Sequence, residues 1–183
     1  YKNPHHFLSI DAPSISIRAN PIVKLEYGNA SNQSQTIFQN TRGAELSAVI
    51  DEKIYVFTRI LENQQGFLPY MNQYIDRYKA IPQNGFYKTY NSEVIGKLSG
   101  YDFLNTVAYV TAPISKSIHV ELGHGNHFIG NGYRSLLLSN FTNNYFYLKF
   151  NTRVWKFHYR NIFAELQNES ANYTDGDELI GKK

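Results

Sequence analysis

The sequence predicts an all-β, antiparallel protein of about eight strand-like runs, with one short helix in a long loop. Three observations support this prediction. Apolar and polar residues alternate along much of the chain, as in strands whose side chains point to opposite faces of a sheet. Aromatic residues make up 15% of the 183 residues, and rings with a polar tip suit membrane interfaces. No apolar run approaches the roughly 20 residues of a membrane-spanning helix, so any membrane crossing would use strands.

The first strands are predicted from alternation and turn signals. Residues 14–18 and 22–27 are predicted to be strands separated by a turn at Asn20 and Pro21. Pro13 is expected at a strand start or a sheet edge, where its missing N–H is tolerated. Residues 29–35 are mostly Asn, Ser and Gln, and they are predicted to form a loop.

A second hairpin is predicted from residues 36–50 and 54–61, joined by a turn at residues 51–53. One face of its first strand carries Ala44, Leu46, Ala48 and Ile50, and the other carries Glu45, Ser47 and Val49. This strand is therefore expected to have one apolar side.

A single helix is predicted at residues 70–80. It follows Pro69, which suits a first helical turn, and Tyr70, Tyr74 and Tyr78 recur at helical spacing. Pro82 is expected to stop it. The helix lies in a connection over residues 64–100, which is longer than a hairpin loop requires and is expected to act as a lid or a docking element.

Two more hairpins are predicted in the C-terminal half. Residues 102–112 and 117–122 form one around a turn at 113–116, and residues 145–153 and 155–163 form the other. The last hairpin has an apolar wall, predicted to consist of Phe146, Leu148, Phe150, Trp155, Phe157, Tyr159 and Phe163. The polar residues 168–183 are predicted to be a loop or a frayed end.

A glycine-rich segment, residues 122–140, separates these two hairpins. The spacing of Gly123, Gly125, Gly130 and Gly132 does not match a dinucleotide fingerprint or a phosphate loop, and an aromatic strand follows in place of a helix. The glycines are therefore predicted to serve tight turns or bulges.

Composition and spacing argue against metal, thiol and nucleic-acid chemistry. There are no cysteines, and the histidines His119, His124 and His127 lack zinc-ligand spacing, since His119 is expected on a strand and the other two in a flexible turn. The net charge of +3 comes from cations that are scattered along the chain, so no nucleic-acid partner is predicted.

No catalytic residue or cofactor is predicted either. The chain lacks a Gly-x-Ser-x-Gly elbow. Glu45, Glu121 and Glu165 could form a carboxylate pair only if the fold brought two of them together, and charges lining a lumen are the commoner explanation.

Two blocks of sequence resemble a known family. One runs from Arg42-Gly43-Ala44-Glu45-Leu46 through Glu62-Asn63-Gln64-Gln65-Gly66 to Ile81-Pro82-Gln83-Asn84-Gly85, and the other is the 122–140 segment with its flanking strands. In this order they resemble the Wzi-type capsule assembly outer-membrane proteins, and more closely the RemB branch found in gliding bacteria. The resemblance covers most of residues 42–166.

The resemblance implies an antiparallel transmembrane β-barrel in the bacterial outer membrane. Because family members are longer, residues 1–183 are expected to form part of one barrel domain. Wzi-type proteins are implicated in holding capsular polysaccharide at the cell surface, and RemB-type proteins are associated with surface motility. The implied role is therefore non-enzymatic, with outer-membrane lipid, surface polysaccharide and motility or secretion-machinery proteins as partners.

Candidate binding residues follow from composition, because sugar C–H faces stack on rings and sugar hydroxyls need polar partners. The ligand-binding candidates in the long connection are Tyr70, Asn72, Tyr74, Asn84, Tyr87 and Tyr90. The polar residues predicted to face the barrel lumen are His119, Glu121, Lys149, Asn151, His158 and Arg160.

Three alternatives stay open. The barrel could be a gliding-motility or secretion-associated scaffold for protein partners, or the chain could be a soluble carbohydrate-binding β-sandwich. An enzyme on a β scaffold ranks last, because no nucleophile, metal or cofactor pattern stands out.

Overall fold

A computed structural model describes residues 6–29, 36–92, 98–133 and 135–166 of the chain. The loop predicted at residues 29–35, apart from Asn29, and the tail predicted at residues 168–183 lie outside the described residues. The described residues form one antiparallel sheet and one helix, which confirms the all-β prediction. No helix among them is long and apolar enough to span a membrane.

The sheet has nine strands in the order β1-β2-β3-β4-β6-β7-β8-β9. β5 pairs with the first residues of β6, on the edge of β6 that carries β7 further along. The strands are β1 (Leu8–Ala12), β2 (Ile15–Asn29), β3 (Thr36–Ile50), β4 (Ile54–Gly66), β5 (Lys88–Ser92), β6 (Leu98–Pro113), β7 (Ile118–Gly125), β8 (Tyr145–Val154) and β9 (Phe157–Ala164).

Residues directly opposite each other in an antiparallel ladder share a face of the sheet, so the register defines two faces. The apolar face includes Val23, Leu25, Leu46, Ile60, Leu104, Val110, Leu122, Phe146, Phe150, Phe157 and Phe163. The polar face includes Arg18, Glu45, Arg59, Asn63, Asn105, His119, Glu121, Lys149, Asn151, His158 and Arg160. The alternation predicted for β3 and for the C-terminal hairpins is confirmed.

The predicted turn at Asn20 and Pro21 is wrong, because β2 runs through both residues. Ser14 O accepts a hydrogen bond from Asp51 N at 2.8 Å, and hydrogen-bonded pairs alternate along an antiparallel ladder. Pro21 opposite Ala44 therefore occupies a non-hydrogen-bonded position toward β3. Its nitrogen faces the other edge, beyond the last β1 pair at Ala19, so no ladder bond is lost.

Other boundaries also differ from the predictions. β1 and β5 were not predicted, and the turn between β1 and β2 is at Pro13 and Ser14. Trp155 does not belong to a strand; it lies in the turn between β8 and β9 with φ of 53°.

Two of the glycines predicted to form turns lie inside β7 instead. A Cβ on Gly123 would lie 2.6 Å from Tyr109 Cβ and 2.9 Å from Tyr147 Oη. Gly123 therefore makes room for aromatic side chains of the two neighbouring strands. Gly130 and Gly132 do lie in the loop after β7, with φ of 117° and 128°.

The helix α1 (Pro69–Tyr78) confirms the predicted helix closely. It starts with Pro69 in its first turn and ends before the left-handed Lys79, whose N–H donates to Ile75 O at 2.7 Å. Ile75 and Ile81 are buried against Phe103 of the polar face. The helix therefore covers the polar face of the sheet, not the apolar one.

The connections between strands differ sharply at the two ends of the sheet. At the short-turn end, strands are joined by residues 13–14, 51–53, 114–117 and 155–156. At the long-loop end, the connections are residues 30–35, 67–97 and 126–144. Because neighbouring strands are antiparallel, these two sets lie at opposite ends of the sheet.

Candidate functional site

The apolar face lies open along the described part of the chain. Phe146 is 65% exposed, Phe157 71% and Phe163 62%. The same face continues to β2, near the opposite edge of the sheet, where Val23 and Leu25 are each 72% exposed. Exposed apolar surfaces of this extent are typical of sites that contact lipid or another protein.

The polar face, by contrast, is partly covered by the long-loop connections. Besides α1, the loop after β7 reaches across it, and Gln83 N donates to Phe141 O at 3.0 Å. The rings of Tyr74 and Phe141 meet edge to face, with their centroids 5.9 Å apart. The chain therefore folds its connections over its polar face.

A hydrogen-bonded network occupies the centre of the polar face on β7 and β8. Glu121 Oε1 accepts from Lys149 Nζ at 2.5 Å and from Tyr147 Oη at 2.7 Å. The two charged side chains are only 15% and 13% exposed. Charge-assisted bonds in such a setting are stronger than those in water, because the local dielectric is lower.

His127 extends this network from the loop. Its Nε2 lies 3.4 Å from Lys149 Nζ and its Nδ1 lies 3.2 Å from Tyr145 Oη. Lys149 can only donate, so Nε2 is the acceptor and Nδ1 carries the proton that points to Tyr145. Burial lowers the pKa of His127, and the nearby Lys149 ammonium lowers it further. His127 is thus a neutral, half-buried residue held by contacts on both ring nitrogens.

The six residues predicted to face a lumen all share the polar face. Besides Glu121 and Lys149, the cross-strand pairs are His119 opposite Asn151 and Asn151 opposite Arg160. Arg160 Nε donates to Asn151 Oδ1 at 3.0 Å. Tyr145 and Tyr147 were missed although they share the parity of Lys149 along β8. His127 was missed because the loop that returns to the sheet has no local signature.

The predicted ligand-binding residues do not form one surface. Tyr70 projects from α1 and is 66% exposed. Tyr87 packs edge to face on Tyr101 at 5.0 Å between centroids, and Tyr90 lies on β5 beside Phe38 at 5.9 Å. These last two rings therefore have packing contacts of their own.

The other candidates on and after α1 also make internal contacts. Tyr74 packs on Tyr78, with 4.5 Å between centroids. Asn72 Nδ2 donates to Phe67 O at 3.3 Å, and Asn84 Oδ1 accepts from Asn105 Nδ2 at 2.7 Å. Of the six candidates, Tyr70 has the most accessible ring for a ligand.

His124 was predicted in a flexible turn, and this is wrong because it lies in β7. Its Nδ1 is 3.1 Å from Thr106 O, which also accepts from Asn144 Nδ2 at 2.7 Å. Thr106 lies on the edge of β6 between the parts paired with β5 and β7. His124 and Asn144 thus both lie against this carbonyl, at a part of β6 that neither β5 nor β7 pairs.

Within the described ranges, no three His, Cys, Asp or Glu side chains are grouped so that they could hold a metal ion. Glu45 Oε1 accepts from Asn20 Nδ2 at 3.1 Å, whereas Glu121 is paired with Lys149. Glu165 lines a separate cavity near Phe86 and His124.

No family model, no curated protein and no solved structure matches this chain. Function is therefore inferred from the geometry of the two faces of the sheet.

Proposed function

We propose that this chain forms part of the wall of a bacterial outer-membrane β-barrel. The barrel has no enzymatic activity and binds or assembles surface polysaccharide at its long-loop end. The observation that carries the proposal is the inverted arrangement of the sheet, whose apolar face lies open while its polar face is partly covered by α1 and the loop after β7.

The inversion favours a lipid environment. A sheet in water gains stability by covering its apolar face, and burial of one Phe or Leu side chain contributes about 1.5–3 kcal/mol. Here Phe146, Phe157 and Phe163 are exposed, while α1 lies on the opposite face. Acyl chains would supply the missing apolar contacts. A polar lumen would accommodate Glu121 and Lys149.

The strand lengths and connections support the same assignment. A tilted strand that crosses a bilayer needs about 9–11 residues. β2, β3, β4, β6 and β8 reach this length with 15, 15, 13, 16 and 10 residues, and β7 and β9 have 8 each. Barrels of this class have short turns on the periplasmic side and longer loops outside the cell. The short-turn end would therefore face the periplasm, and α1 would lie toward the cell exterior.

Polysaccharide binding is the role that the resemblance to Wzi-type proteins implies, and the long-loop end carries chemistry that suits it. An exposed tyrosine offers both a ring for the C–H face of a sugar and a hydroxyl for a hydrogen bond. Tyr70 is such a residue, and it lies on the helix inserted between β4 and β6.

Retention of surface polysaccharide by cells that produce the full-length protein tests this role. We expect Tyr70→Ala to weaken retention by loss of stacking, whereas Tyr70→Phe, which keeps the ring, retains most of it. Equal retention by the wild type, both variants and cells without the protein would contradict a polysaccharide role. Stoichiometric protein partners purified without polysaccharide would favour a motility or secretion scaffold instead.

A further inference from the structure

A cavity of about 700 Å³ opens on the polar face at the short-turn end of β7, β8 and β9. Its polar lining comes from Lys116, His119, Asn151, Arg153, His158 and Arg160. Ile129, from the loop after β7, adds an apolar wall. The cavity is distinct from the Glu121 network and from α1.

The charge of this cavity has one sign. Lys116, Arg153 and Arg160 are permanently charged near neutral pH, and no Asp or Glu is among the lining residues. The ion pairs found in the described part of the chain involve Arg18, Lys24, Arg42 and Lys149, and none involves the three cations of the cavity. Glu121, on the same face of β7, is already engaged by Lys149 and Tyr147.

The register concentrates these cations. Arg153 lies directly opposite His158, and Arg160 lies opposite Asn151. Arg153 and Arg160 are therefore diagonal neighbours on one face of the ladder, about 7–8 Å apart, and a bound anion would offset the repulsion between them. Because Asn151 Oδ1 accepts from Arg160 Nε at 3.0 Å, the guanidinium is oriented while its outer nitrogens stay available. A planar fork of this kind suits a carboxylate or a phosphate.

We propose that this cavity binds the anionic groups of an acidic polysaccharide, with Arg153 and Arg160 as the principal contacts. The proposal rests on the proposed function for its polymer, adds a contact at the short-turn end of the sheet to the one at the long-loop end, and specifies that the polymer carries carboxylate groups. Lys116 adds a third cation at the mouth of the cavity. Ile129 offers an apolar surface to the sugar ring.

The one tryptophan of these 183 residues gives a direct assay once any tryptophan elsewhere in the full-length protein is replaced by phenylalanine. Trp155 lies in the turn between β8 and β9, two residues from Arg153 of the cavity lining, so an oligosaccharide that enters should change its fluorescence. The full-length protein in detergent micelles is titrated with trigalacturonate, with a neutral maltotriose and with inorganic phosphate. We expect a saturable change with trigalacturonate that weakens as salt increases, and much weaker responses to the other two.

Arg153→Gln and Arg160→Gln should each weaken binding of trigalacturonate by about tenfold or more, since each removes a charge-assisted contact. Arg77→Gln, on α1 and away from the cavity, is the matched control and should bind like the wild type. Circular dichroism confirms that every variant keeps its sheet. Unchanged affinity in both cavity variants, or equal binding of maltotriose, would overturn the proposal. Inorganic phosphate that binds as tightly as trigalacturonate would also overturn it, because the site would then select a small anion.

The outcomes separate this inference from the proposed function. If the protein retains surface polysaccharide and the Arg153→Gln/Arg160→Gln double variant retains it equally well, the cavity inference fails while the proposed function stands. If no surface polysaccharide is retained but trigalacturonate still binds through the two arginines, the proposed function fails and the cavity keeps its anionic ligand.

Discussion

Substitution of Glu121 by Gln tests the energetics of the polar face. Glu121 accepts bonds from Lys149 Nζ at 2.5 Å and from Tyr147 Oη at 2.7 Å, and the Glu121 and Lys149 side chains are 15% and 13% exposed. The substitution makes the bond from Tyr147 neutral, replaces the charged acceptor of Lys149 by a neutral amide oxygen, and leaves the Lys149 ammonium without its counter-charge. Removing one partner of a buried pair costs about 3–5 kcal/mol, whereas exposed pairs contribute up to about 1 kcal/mol. Because both side chains are mostly buried, we expect a loss of about 3 kcal/mol in the free energy of unfolding.

The matched control is Glu121→Gln combined with Lys149→Met. The double variant leaves no unpaired charge, so it should be less destabilised than Glu121→Gln alone. The assay is urea unfolding of the full-length protein in lipid vesicles, followed by circular dichroism. A loss below about 1 kcal/mol for the single variant, or a double variant that is as unstable as the sum of the two single ones, would refute the reasoning.

Two further predictions concern Gly123 and His127. Gly123→Ala should cost about 1–3 kcal/mol of unfolding free energy, because the added Cβ would lie 2.6 Å from Tyr109 Cβ. Gly125→Ala should cost far less, because the nearest neighbour of its added Cβ is at 3.5 Å. Urea unfolding measures both losses, and equal losses would contradict the packing argument. The pKa of His127 is lowered in the folded protein, so as the pH falls the unfolded chain binds a proton at this residue before the folded protein does. The contribution of His127 to the stability of the fold is therefore complete above a pH of about 6.5 and is lost below it. Unfolding followed between pH 7.5 and 5 should therefore show a steeper loss of stability in the wild type than in His127→Gln, and parallel curves would count against this account.

The alternation of apolar and polar residues predicted most of the strands, because it is a local property of the sequence. In β3 and β7, apolar residues such as Leu46 and Leu122 are spaced by two from their apolar neighbours, and each strand can be identified without knowledge of its partners. The short strands β1 and β5 were missed, since five residues each give too few repeats to establish a period.

Features that depend on neighbouring strands were not predictable. Asn20 and Pro21 are a strong local turn signal, but fifteen paired positions between β2 and β3 override it. Gly123 is required by side chains on β6 and β8, and the sequence around Gly123 carries no trace of either.

The same distinction between local and tertiary features applies to the residues of the candidate sites. The sequence correctly grouped His119, Glu121 and Lys149 on one face, because parity along a strand is enough for that. The contacts of His127 depend on how the loop after β7 returns to the sheet. The basic cavity needs the register of β8 against β9, which places Arg153 opposite His158.

The environment of the apolar face is the central claim, and spin-label accessibility tests it most directly. These 183 residues contain no cysteine. With any cysteine elsewhere in the full-length protein replaced by serine, a nitroxide can be attached at Leu122→Cys on the apolar face and, as the matched control, at His119→Cys on the polar face of the same strand. The full-length protein is reconstituted in phospholipid bilayers, and power saturation is recorded with oxygen, which concentrates in lipid, and with a water-soluble nickel chelate. We expect the label at position 122 to be relaxed mainly by oxygen and the label at 119 mainly by nickel. Strong relaxation by nickel at both positions would place the apolar face in water and contradict the account.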